Sequence, residues 1–393
     1  MIVRENLRQL EYTYLQEKIM TNSVEIVTIT AKSSLFKKGT GEPATNIELI
    51  NFSFSNGDEC GFNVVSQKDL YSIGDSAIYI QPDYCIPKTE LFSSFHAPYG
   101  DPNKSKLGKN GRIRAIKFNF NLENKSDSIY SNGILLPLLE VDFPVDVNDF
   151  SEFLSITKYE EPEKFVASDA KGSLPSFLYK TDEENAANLK SYITKILEAG
   201  ERIGWTLKVD GSSFTQYFKK NEGEWVTGIC SRSLEKKLDD IEDTSDPWIK
   251  LSIASELYKR GIDYCQQYDR ELAFRGEIYG EGVTKGSGNK INPHSKEKPN
   301  LAIFGIDDLT SGYAVRLLSR EVEEICKELD LNYLASEEIL EVDSYEQLMV
   351  RANNLFSYYK ETKSQVIEGI VIRTLNNNKL SCKIMNNVYD EKK

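Results

Sequence analysis

Histidine is nearly absent from this chain, and cysteine is sparse. The 393 residues include only two histidines, His96 and His294. A Ser-His-Asp catalytic triad would have to use one of these two histidines as its general base, which nearly excludes that class of enzyme. The six cysteines are scattered and contain no Cys-x-x-Cys pair, which argues against a zinc site and against a disulfide framework. We therefore expect reduced, mostly buried thiols in a cytoplasmic or otherwise intracellular protein.

Long apolar runs and a surplus of positive charge are also missing. No apolar stretch reaches the roughly 18 residues that a membrane-spanning helix needs. The first residues, MIVRENLRQLEYTYLQEK, are charged throughout and do not resemble a signal peptide, so no membrane partner is expected. The formal net charge is -13, which disfavours nonspecific wrapping of nucleic acid. A nucleic-acid-binding protein of this composition would need its basic residues concentrated in one place.

The chain is long enough for two domains. Its first part contains short apolar or alternating runs separated by turn residues: SVEIVTIT, CGFNVVS, SAIYIQPD, IRAIKFNF and GILLPLLEV. Several short strands without a strong helix pattern predict a small barrel such as an OB-fold. The stretch 149–177 mixes proline, glycine, serine and charge, which is typical of a boundary. We predict an OB-fold-like nucleic-acid-binding domain at 1–165 and a second domain at 166–393.

The second part shows an α+β pattern. Apolar periodicity predicts helices at 183–199, 246–268, about 314–329 and 344–360, and Ser344 fits a helix N-cap. Strands are predicted at 203–209, 212–218, 224–231, 272–279, 300–306, 366–373 and 379–384. The predicted class is α+β, with an N-terminal OB-fold β-barrel followed by a domain of antiparallel sheets and flanking helices.

The segment WTLKVDGSSFTQYF places a lysine, Lys208, within a strand-like pattern. A lysine amine becomes a good nucleophile when burial or neighbouring cations lower its pKa. Asp210 lies two residues further on and would point to the same side, where it could orient the amine or help hold a metal ion. Gly211 would permit a tight turn close to a ligand. The alternative is an exposed strand-end lysine followed by an ordinary Asp-Gly hairpin turn.

Further charged residues follow in short strand-like runs. Glu277 lies in ELAFRGEIYGEG, Glu368 and Arg373 in QVIEGIVIRT, and Lys383 in LSCKIMNN. Each residue alone is typical of a solvated strand edge. Together they suit nucleotidyl transfer, because two carboxylates would collect a divalent metal ion and the cations would neutralise a triphosphate.

The motifs also resemble a known superfamily. KVDG, SRS, FRGEIYG, LAIFGI, EGIVIR and CKIMN occur in the order seen in the covalent nucleotidyltransferases, which include ATP-dependent ligases and mRNA capping enzymes. YKTDEENAANLKSY, before the lysine strand, is similar to a segment of RNA ligases that carry an OB domain in front of the nucleotidyltransferase (ATP-grasp-like ligase) domain. IGDSAIYIQPD, GRIRAIKF and SNGILLPL resemble that N-terminal domain.

The resemblance implies that Lys208 attacks the α-phosphate of ATP and becomes a lysyl-adenylate. It implies that Arg232 and Glu277 hold ribose and phosphate, that Phe304 stacks on adenine, and that Lys383 contacts the α-phosphate. A low pKa of Lys208 is expected from Lys383 and Arg373. The implied sets are catalytic Lys208, Asp210 and Lys383; nucleotide-binding Leu207, Lys208, Arg232, Glu277, Phe304, Glu368 and Lys383; and, for Mg²⁺ or Mn²⁺, Asp210, Glu277 and Glu368.

The expected activity is ATP-dependent joining of RNA 3′-hydroxyl and 5′-phosphate ends by a monomer, at nicks or single-stranded breaks, in RNA repair. Three residues depart from the family pattern: Asn185 stands where arginine is common, Gly305 where an acid is common and Ser381 where a base is common. Asp307 or Asp308 could replace the missing acid. A DNA ligase, a guanylyltransferase and a catalytically degenerate end-binding protein remain alternatives.

Basic residues do cluster locally despite the acidic total. NKSKLGKNGRIRAIK, residues 103–117, carries six lysine and arginine residues in the predicted OB strands, and TKGSGNKINPHSKEK, residues 284–298, is a second basic stretch. OB faces bind single strands through cations and stacked aromatic rings. Either stretch could instead be a solvated run of charge.

Overall fold

The computed structural model describes part of the chain, and this part forms two compact units. The described residues are 24–392, except 124–127, 139–140, 142–149, 161–169, 240, 242–243, 284–291 and 340. The first unit comprises described residues up to 160 together with Ala186–Lys195, and the second comprises residues 170–185 and those from Ile196 onward. The N-terminal 23 residues, most of the second basic stretch and part of the predicted boundary lie outside the described residues.

Among its described residues up to 160, the first unit is built from antiparallel strands, with two helices of one turn and three 3-10 turns. The strands are β1 Val24–Lys37, β2 Pro43–Phe54, β3 Val64–Gln67, β4 Ser76–Ile80, β5 Tyr84–Cys85, β6 Ile116–Phe118, β7 Phe120–Asn121, β8 Ile129–Ser131, β9 Ile134–Pro137 and β10 Thr157–Lys158. The helical segments are α1 Ser93–His96 and α2 Phe150–Phe153, with 3-10 turns at Pro98–Gly100, Pro102–Lys104 and Lys109–Gly111.

A curved sheet organises this unit. Its strand order is β3-β2-β1-β4-β9, and β7 pairs with the far end of β1. Two register shifts along β1, at Ile29/Ala31 and Ser34/Phe36, bend the strand so that it pairs with three neighbours. β4 is buried on both faces: Tyr79 packs into one apolar cluster and Ile78 into another. Burial on both faces explains why the β4 sequence is an almost continuous apolar run.

The second unit contains the remaining strands and the longer helices. Its strands are β11 Ala170–Ser173, β12 Glu184–Asn185, β13 Ile203–Lys208, β14 Ser212–Asn221, β15 Glu224–Cys230, β16 Leu234–Lys236, β17 Leu272–Tyr279, β18 Asn300–Asp308, β19 Val315–Arg316, β20 Glu337–Ile339, β21 Gly369–Thr374 and β22 Ser381–Met385. A 3-10 turn at Ala186–Leu189 leads into α3 Lys190–Glu198, and this segment belongs to the first unit as far as Lys195. The later helices, all in the second unit, are α4 Pro247–Ala254, α5 Leu257–Tyr268, α6 Ser319–Glu328, α7 Tyr345–Thr362 and α8 Asn387–Lys392.

Two sheets organise the second unit. One has the order β11-β16-β15-β14-β17-β18-β19, and the other has the order β12-β22-β21-β13-β20. Every ladder is antiparallel except β12–β22. The mixed α+β class with antiparallel sheets is confirmed. No helix among the described residues is long and apolar enough to cross a membrane.

The apolar core lies on one face of the larger sheet. Phe214, Phe274 and Ile278 from β14 and β17 pack there with residues of α4, α5 and α6. Because side chains alternate along a strand, the intervening residues of β17, Arg275 and Glu277, project from the opposite face. The helices therefore cover one side of this sheet, and the other side carries polar groups next to a smaller apolar cluster that includes Tyr217 and Ala273.

The predicted helix at 344–360 is confirmed by α7. The helices predicted at 183–199 and about 314–329 begin later, at Lys190 and Ser319, after short strands and a 3-10 turn, and the predicted helix at 246–268 is two helices. Asp246 caps α4 by accepting hydrogen bonds from the backbone of Trp248 and Ile249. Glu256, directly before α5, adopts a left-handed backbone conformation with φ of 59°, which interrupts the helical path. Apolar periodicity continues across the break, so it could not reveal the interruption.

A buried charge network joins β17, β18 and β19. Asp307 has no solvent exposure; it accepts hydrogen bonds from Arg275 Nε at 2.7 Å and from Arg316 Nε at 2.5 Å. Burial alone would raise the pKa of Asp307, but the two guanidinium groups outweigh it and hold that pKa below its usual value. Arg275 is also almost fully buried, so this carboxylate is the counter-charge that the sheet interior requires.

Replacing Asp307 should destabilise the second unit in a pH-dependent way. Asp307→Asn leaves two arginines without their counter-charge, and we expect a loss of about 3–5 kcal/mol at neutral pH. The stabilisation by Asp307 is present above its unfolded-state pKa of about 3.9 and is lost as pH falls through the lowered folded-state pKa. In urea denaturation, the difference between wild type and variant should therefore shrink in acid. Asp308→Asn, which removes a partly exposed pair with Arg270, should cost no more than about 1 kcal/mol.

Candidate active site

Lys208 is the last residue of β13 and pairs with Gly369 of β21. Its Nζ donates a hydrogen bond to Glu368 Oε2 at 2.6 Å. The lysine side chain is 28% exposed and that of Glu368 is 9% exposed, so the pair is shielded from water but can still be reached. The amine therefore lies where the sequence predicted it, at the end of a strand and next to one of the predicted carboxylates.

The connection after Lys208 is held from several sides. Asn292 Nδ2 donates to the backbone oxygen of Asp210 at 2.9 Å, and the hydroxyl of Tyr389 donates to the Asp210 carboxylate. Gly211 has no positive φ. An added Cβ there would lie 2.4 Å from the backbone oxygen of Ile278. The glycine is thus required by the close approach of the strand that carries Glu277 and not by a left-handed turn.

Glu277 comes from the other sheet, on the face of β17 opposite the helices. Burial raises the pKa of Glu277 to about 8; repulsion by Glu368 and Asp210 acts in the same direction, while Lys208 and the Gly211 N–H oppose the rise. The site thus brings together carboxylates from three separate stretches of sequence. Such a desolvated group is stabilised by a positive charge close by.

The expected low pKa of Lys208 is wrong for this state of the protein. Burial favours the neutral amine, but attraction by Glu368, Glu277 and Asp210 outweighs burial and raises the pKa of Lys208. The prediction rested on the cations Lys383 and Arg373, whereas the charged groups that act on the amine are the carboxyl groups of Glu368, Glu277 and Asp210. The lysine is therefore an ammonium ion that neutralises a cluster of carboxylates.

Two predicted cations share the sheet face of Lys208. Residues paired across an antiparallel ladder project to the same face, and the register pairs Thr206 with Val371 and Val371 with Lys383. Lys208, Lys383 and Arg373 consequently lie on one face. Arg373 pairs with Glu183 at 2.8 Å, while Lys383 forms no ion pair within the described part of the chain.

The structure also places the other predicted nucleotide-binding residues. Arg232 pairs with Asp182 at 2.8 Å. Leu207 pairs with Ile370 and alternates with Lys208, so its side chain lies on the opposite face of its sheet. Phe304 is the extra residue of a bulge, because Arg275 pairs with Gly305 while Gly276 pairs with Ile303. A bulge redirects a side chain from the regular alternation of a strand, and Phe304 remains only half-buried.

Two of the three departures from the family pattern have visible consequences. A Cβ at Gly305 would lie 2.3 Å from Arg316 Nη1, so the glycine leaves room for that guanidinium. Asp307 is occupied by its two arginines, and Asp308 pairs with Arg270 at 3.1 Å. Asn185 of β12 pairs in register with Lys383, which places this second departure beside a predicted catalytic lysine.

The acidic groups do not form a ready-made metal site. Among the residues that the structure describes, no group of three or more His, Cys, Asp or Glu side chains is arranged to hold a metal ion. The predicted set of Asp210, Glu277 and Glu368 instead surrounds the Lys208 ammonium. Its donors are all carboxylate oxygens, the ligands that Mg²⁺ and Mn²⁺ prefer.

Three residues of the site escaped the sequence analysis. Asn292 and Tyr389 hold Asp210, and the Asn386 backbone N–H donates to the Glu368 backbone oxygen at 2.9 Å. Asn386 is the last residue of the motif CKIMN, and Tyr389 follows it by three residues. Asn292 and Tyr389 lie 82 and 179 residues from Asp210, so local patterns could not identify these contacts.

Comparison with known proteins gives one family and one set of similar structures. Residues 201–385 match the model of the RNA ligase family. An apo structure of a mutant RNA ligase from Naegleria gruberi superposes with a TM-score of 0.70 at 22% identity, covering 95% of this chain and 99% of that one. A mutant of that ligase with ATP and Mn gives 0.69 at 23% identity, covering 94% and 97%. Another, with AMP and Mn, gives 0.70 at 22% identity, covering 94% and 98%.

These similarities show the fold across nearly the whole chain, while the family match covers the region of the site. No curated protein matches the chain. The matched region contains Lys208, Asp210, Glu277, Glu368 and Lys383. Over residues 201–385 the chain is therefore similar to the RNA ligase family, and over nearly its whole length it shares the fold of these solved RNA ligases.

Proposed function

We propose that this protein is an ATP-dependent RNA ligase that joins 3′-hydroxyl and 5′-phosphate ends through a lysyl-adenylate on Lys208. The observation that carries the proposal is the position of the Lys208 amine. It lies 2.6 Å from Glu368, close to Glu277 and Asp210, and on the sheet face of Arg373 and Lys383. The nucleophile thus lies between carboxylates, which can bind a metal ion, and basic side chains, which can bind phosphates. This arrangement suits nucleotidyl transfer.

The first step forms a bond between the Lys208 nitrogen and the α-phosphorus of ATP. The bond from that phosphorus to the bridging oxygen of the β-phosphate breaks, and pyrophosphate leaves with the electron pair. The ammonium must first lose a proton, which is released to solvent through the exposed part of the side chain. Lys383 and Arg373 offset the negative charge of the phosphates, and Phe304 offers a half-buried ring for adenine.

A divalent cation fits the acidic side of the site. Asp210, Glu277 and Glu368 would hold Mg²⁺ or Mn²⁺, and the raised pKa of Glu277 reflects a carboxyl group that lacks sufficient positive charge around it. Such an ion supplies positive charge that lowers the pKa of Lys208 and favours its neutral amine. In the free protein the three carboxyl groups act on Lys208, which is an ammonium ion, and the same groups would hold the divalent ion.

The two later steps use the RNA ends. An oxygen of the 5′-phosphate attacks the adenylate phosphorus, the nitrogen–phosphorus bond breaks, and Lys208 is regenerated. The 3′-hydroxyl, losing its proton, then attacks the activated 5′-phosphate, and AMP leaves. RNA repair at nicks or single-stranded breaks, by a monomer, is the role that this chemistry would serve.

The first unit would act as an OB-fold domain that binds the RNA strand. Its support is the bent β1 strand in an antiparallel sheet and the basic segment 103–117. Lys104, Lys106 and Lys109 are exposed and form no ion pair with any described residue. Tyr99 is 96% exposed, and the Lys104 ammonium lies 5.6 Å from the centre of its ring. Exposed cations beside an aromatic ring are typical of surfaces that bind single-stranded nucleic acid.

Lys208→Ala should abolish covalent labelling of the protein by ATP. Without the amine no phosphoramidate bond can form, so α-³²P-labelled ATP should label wild type and leave the variant unlabelled, whereas labelled GTP should label neither. Lys219→Ala is a matched control, because Lys219 is 27% exposed and pairs with Glu271 at 2.8 Å in the same unit. Retained label on Lys208→Ala would refute the assigned nucleophile, and labelling by GTP alone would favour a guanylyltransferase.

Lys104→Ala combined with Lys109→Ala should weaken RNA binding and leave lysyl-adenylate formation unchanged. Each phosphate contact on a single strand contributes about 0.7 to the slope of log affinity against log salt. The double variant should therefore reduce the slope by about 1.4, as measured with a 5′-phosphorylated RNA. Lys68→Ala combined with Lys88→Ala, two exposed lysines of the first unit outside the basic segment, is the control. An unchanged slope in the Lys104/Lys109 variant would contradict an RNA contact at this segment.

A further inference from the structure

The segment that follows β22 returns to the residues around Lys208. Asn386 is hydrogen-bonded on both sides. Its backbone N–H donates to the Glu368 oxygen at 2.9 Å and its Nδ2 to the Ile367 oxygen at 2.9 Å, while its Oδ1 accepts from the Val388 N–H at 3.1 Å and its backbone oxygen from the Tyr389 N–H at 2.9 Å. Asn386 therefore connects the start of α8 to the stretch that carries Glu368. This connection fixes where the next residues of α8 can reach.

Tyr389, one turn into α8, reaches Asp210. The tyrosine is 1% exposed, and its hydroxyl donates to Asp210 Oδ2. A hydrogen bond from a hydroxyl to a carboxylate is charge-assisted and therefore stronger than one between neutral groups. The ring alone would fill the same space as phenylalanine, so the hydroxyl is the part of this side chain that acts on Asp210.

Asp210 needs such a restraint because no sheet ladder holds it. β13 ends at Lys208 and β14 begins at Ser212, so Asp210 lies in the connection between them. Its backbone oxygen is held by Asn292, which leaves the carboxylate to be oriented by side-chain contacts. The orientation matters because the Asp210 carboxylate is one of the three that act on the Lys208 ammonium.

We propose that Tyr389 is a positioning residue for nucleotidyl transfer: its hydroxyl holds the Asp210 carboxylate in the orientation that the reaction at Lys208 requires. This inference rests on the proposed function. It assigns a role in the reaction to α8, which follows the last predicted motif and lies beyond the end of the family match at residue 385. Tyr389 acts through Asp210 and has no direct contact with the reacting atoms.

Tyr389→Phe removes only the hydroxyl and tests this role. We expect the rate of lysyl-adenylate formation, measured in a single turnover at saturating ATP, to fall about tenfold, the effect of losing one hydrogen bond of about 1.4 kcal/mol. The divalent-ion concentration for half-maximal rate should rise as well. Tyr217→Phe is the matched control, because the buried Tyr217 also donates its hydroxyl to a carboxylate, Glu235, at 2.7 Å. It should lose stability and keep the wild-type rate.

A second measurement separates positioning from folding and does not depend on activity. Stability to urea is compared for wild type, Tyr389→Phe, Asp210→Ala and the double variant. If the hydroxyl holds Asp210, the double variant loses less stability than the sum of the two single losses. Additive losses, or a wild-type adenylation rate in Tyr389→Phe, would overturn the inference. A wild-type protein that takes no label from ATP would refute the proposed function instead, while the urea comparison would still report the contact between Tyr389 and Asp210.

Discussion

The ion pair between Lys208 and Glu368 is the interaction on which the site depends. One strand provides the amine, and the stretch before the neighbouring strand provides the carboxylate. Since the two strands are hydrogen-bonded in register, with Lys208 opposite Gly369, the sheet itself sets the 2.6 Å contact. Glu277 and Asp210 add negative charge around it, so the amine is held as an ammonium ion.

The second unit contains two clusters of buried charged groups, and they differ in the ratio of basic to acidic side chains. In the Arg275–Asp307–Arg316 network, two cations satisfy one carboxylate, and each group has a partner within the sheet. Around Lys208 the balance is reversed, because one cation serves three carboxylates. A balanced network stabilises a fold, whereas an excess of anions keeps a site ready for positively charged ligands. Gly305 has no side chain and so leaves room for the Arg316 guanidinium, which lies 6.0 Å from the centre of the Phe304 ring.

Residues to which the sequence assigned no role complete the site. Asn292, Asn386 and Tyr389 hold the backbone or side chains of Asp210 and Glu368, and of these three only Asn386 lies in a recognised motif, as the last residue of CKIMN. They resemble the supporting groups of other active sites, which keep reactive side chains within a narrow range of orientations. In the first unit the two roles are separated. β4 is buried on both faces and contributes to stability, whereas the exposed lysines and Tyr99 lie outside that core.

The sequence by itself predicted most strands and named the candidate site residues. The pattern ELAFRGEIYG predicted a strand at 272–279, and the structure has β17 at Leu272–Tyr279, because alternation between a covered face and a polar face is a local property. The motif residues Lys208, Asp210, Glu277 and Glu368 were identified for the same reason, since each stands in a short recognisable stretch. The order of the motifs likewise indicated the family.

Tertiary structure alone decided the electrostatics and the supporting contacts. Lys208 and Glu368 are 160 residues apart in sequence, and Tyr389 and Asp210 are 179 residues apart. Whether the amine lies nearest cations or anions depends on strand register and on distances of a few ångströms, so the predicted low pKa of Lys208 was wrong. The break between α4 and α5 and the bulge at Phe304 escaped prediction because a single backbone irregularity leaves apolar periodicity almost unchanged. A sequence fixes which groups are available, but a pKa depends on which of them fold to within contact of one another.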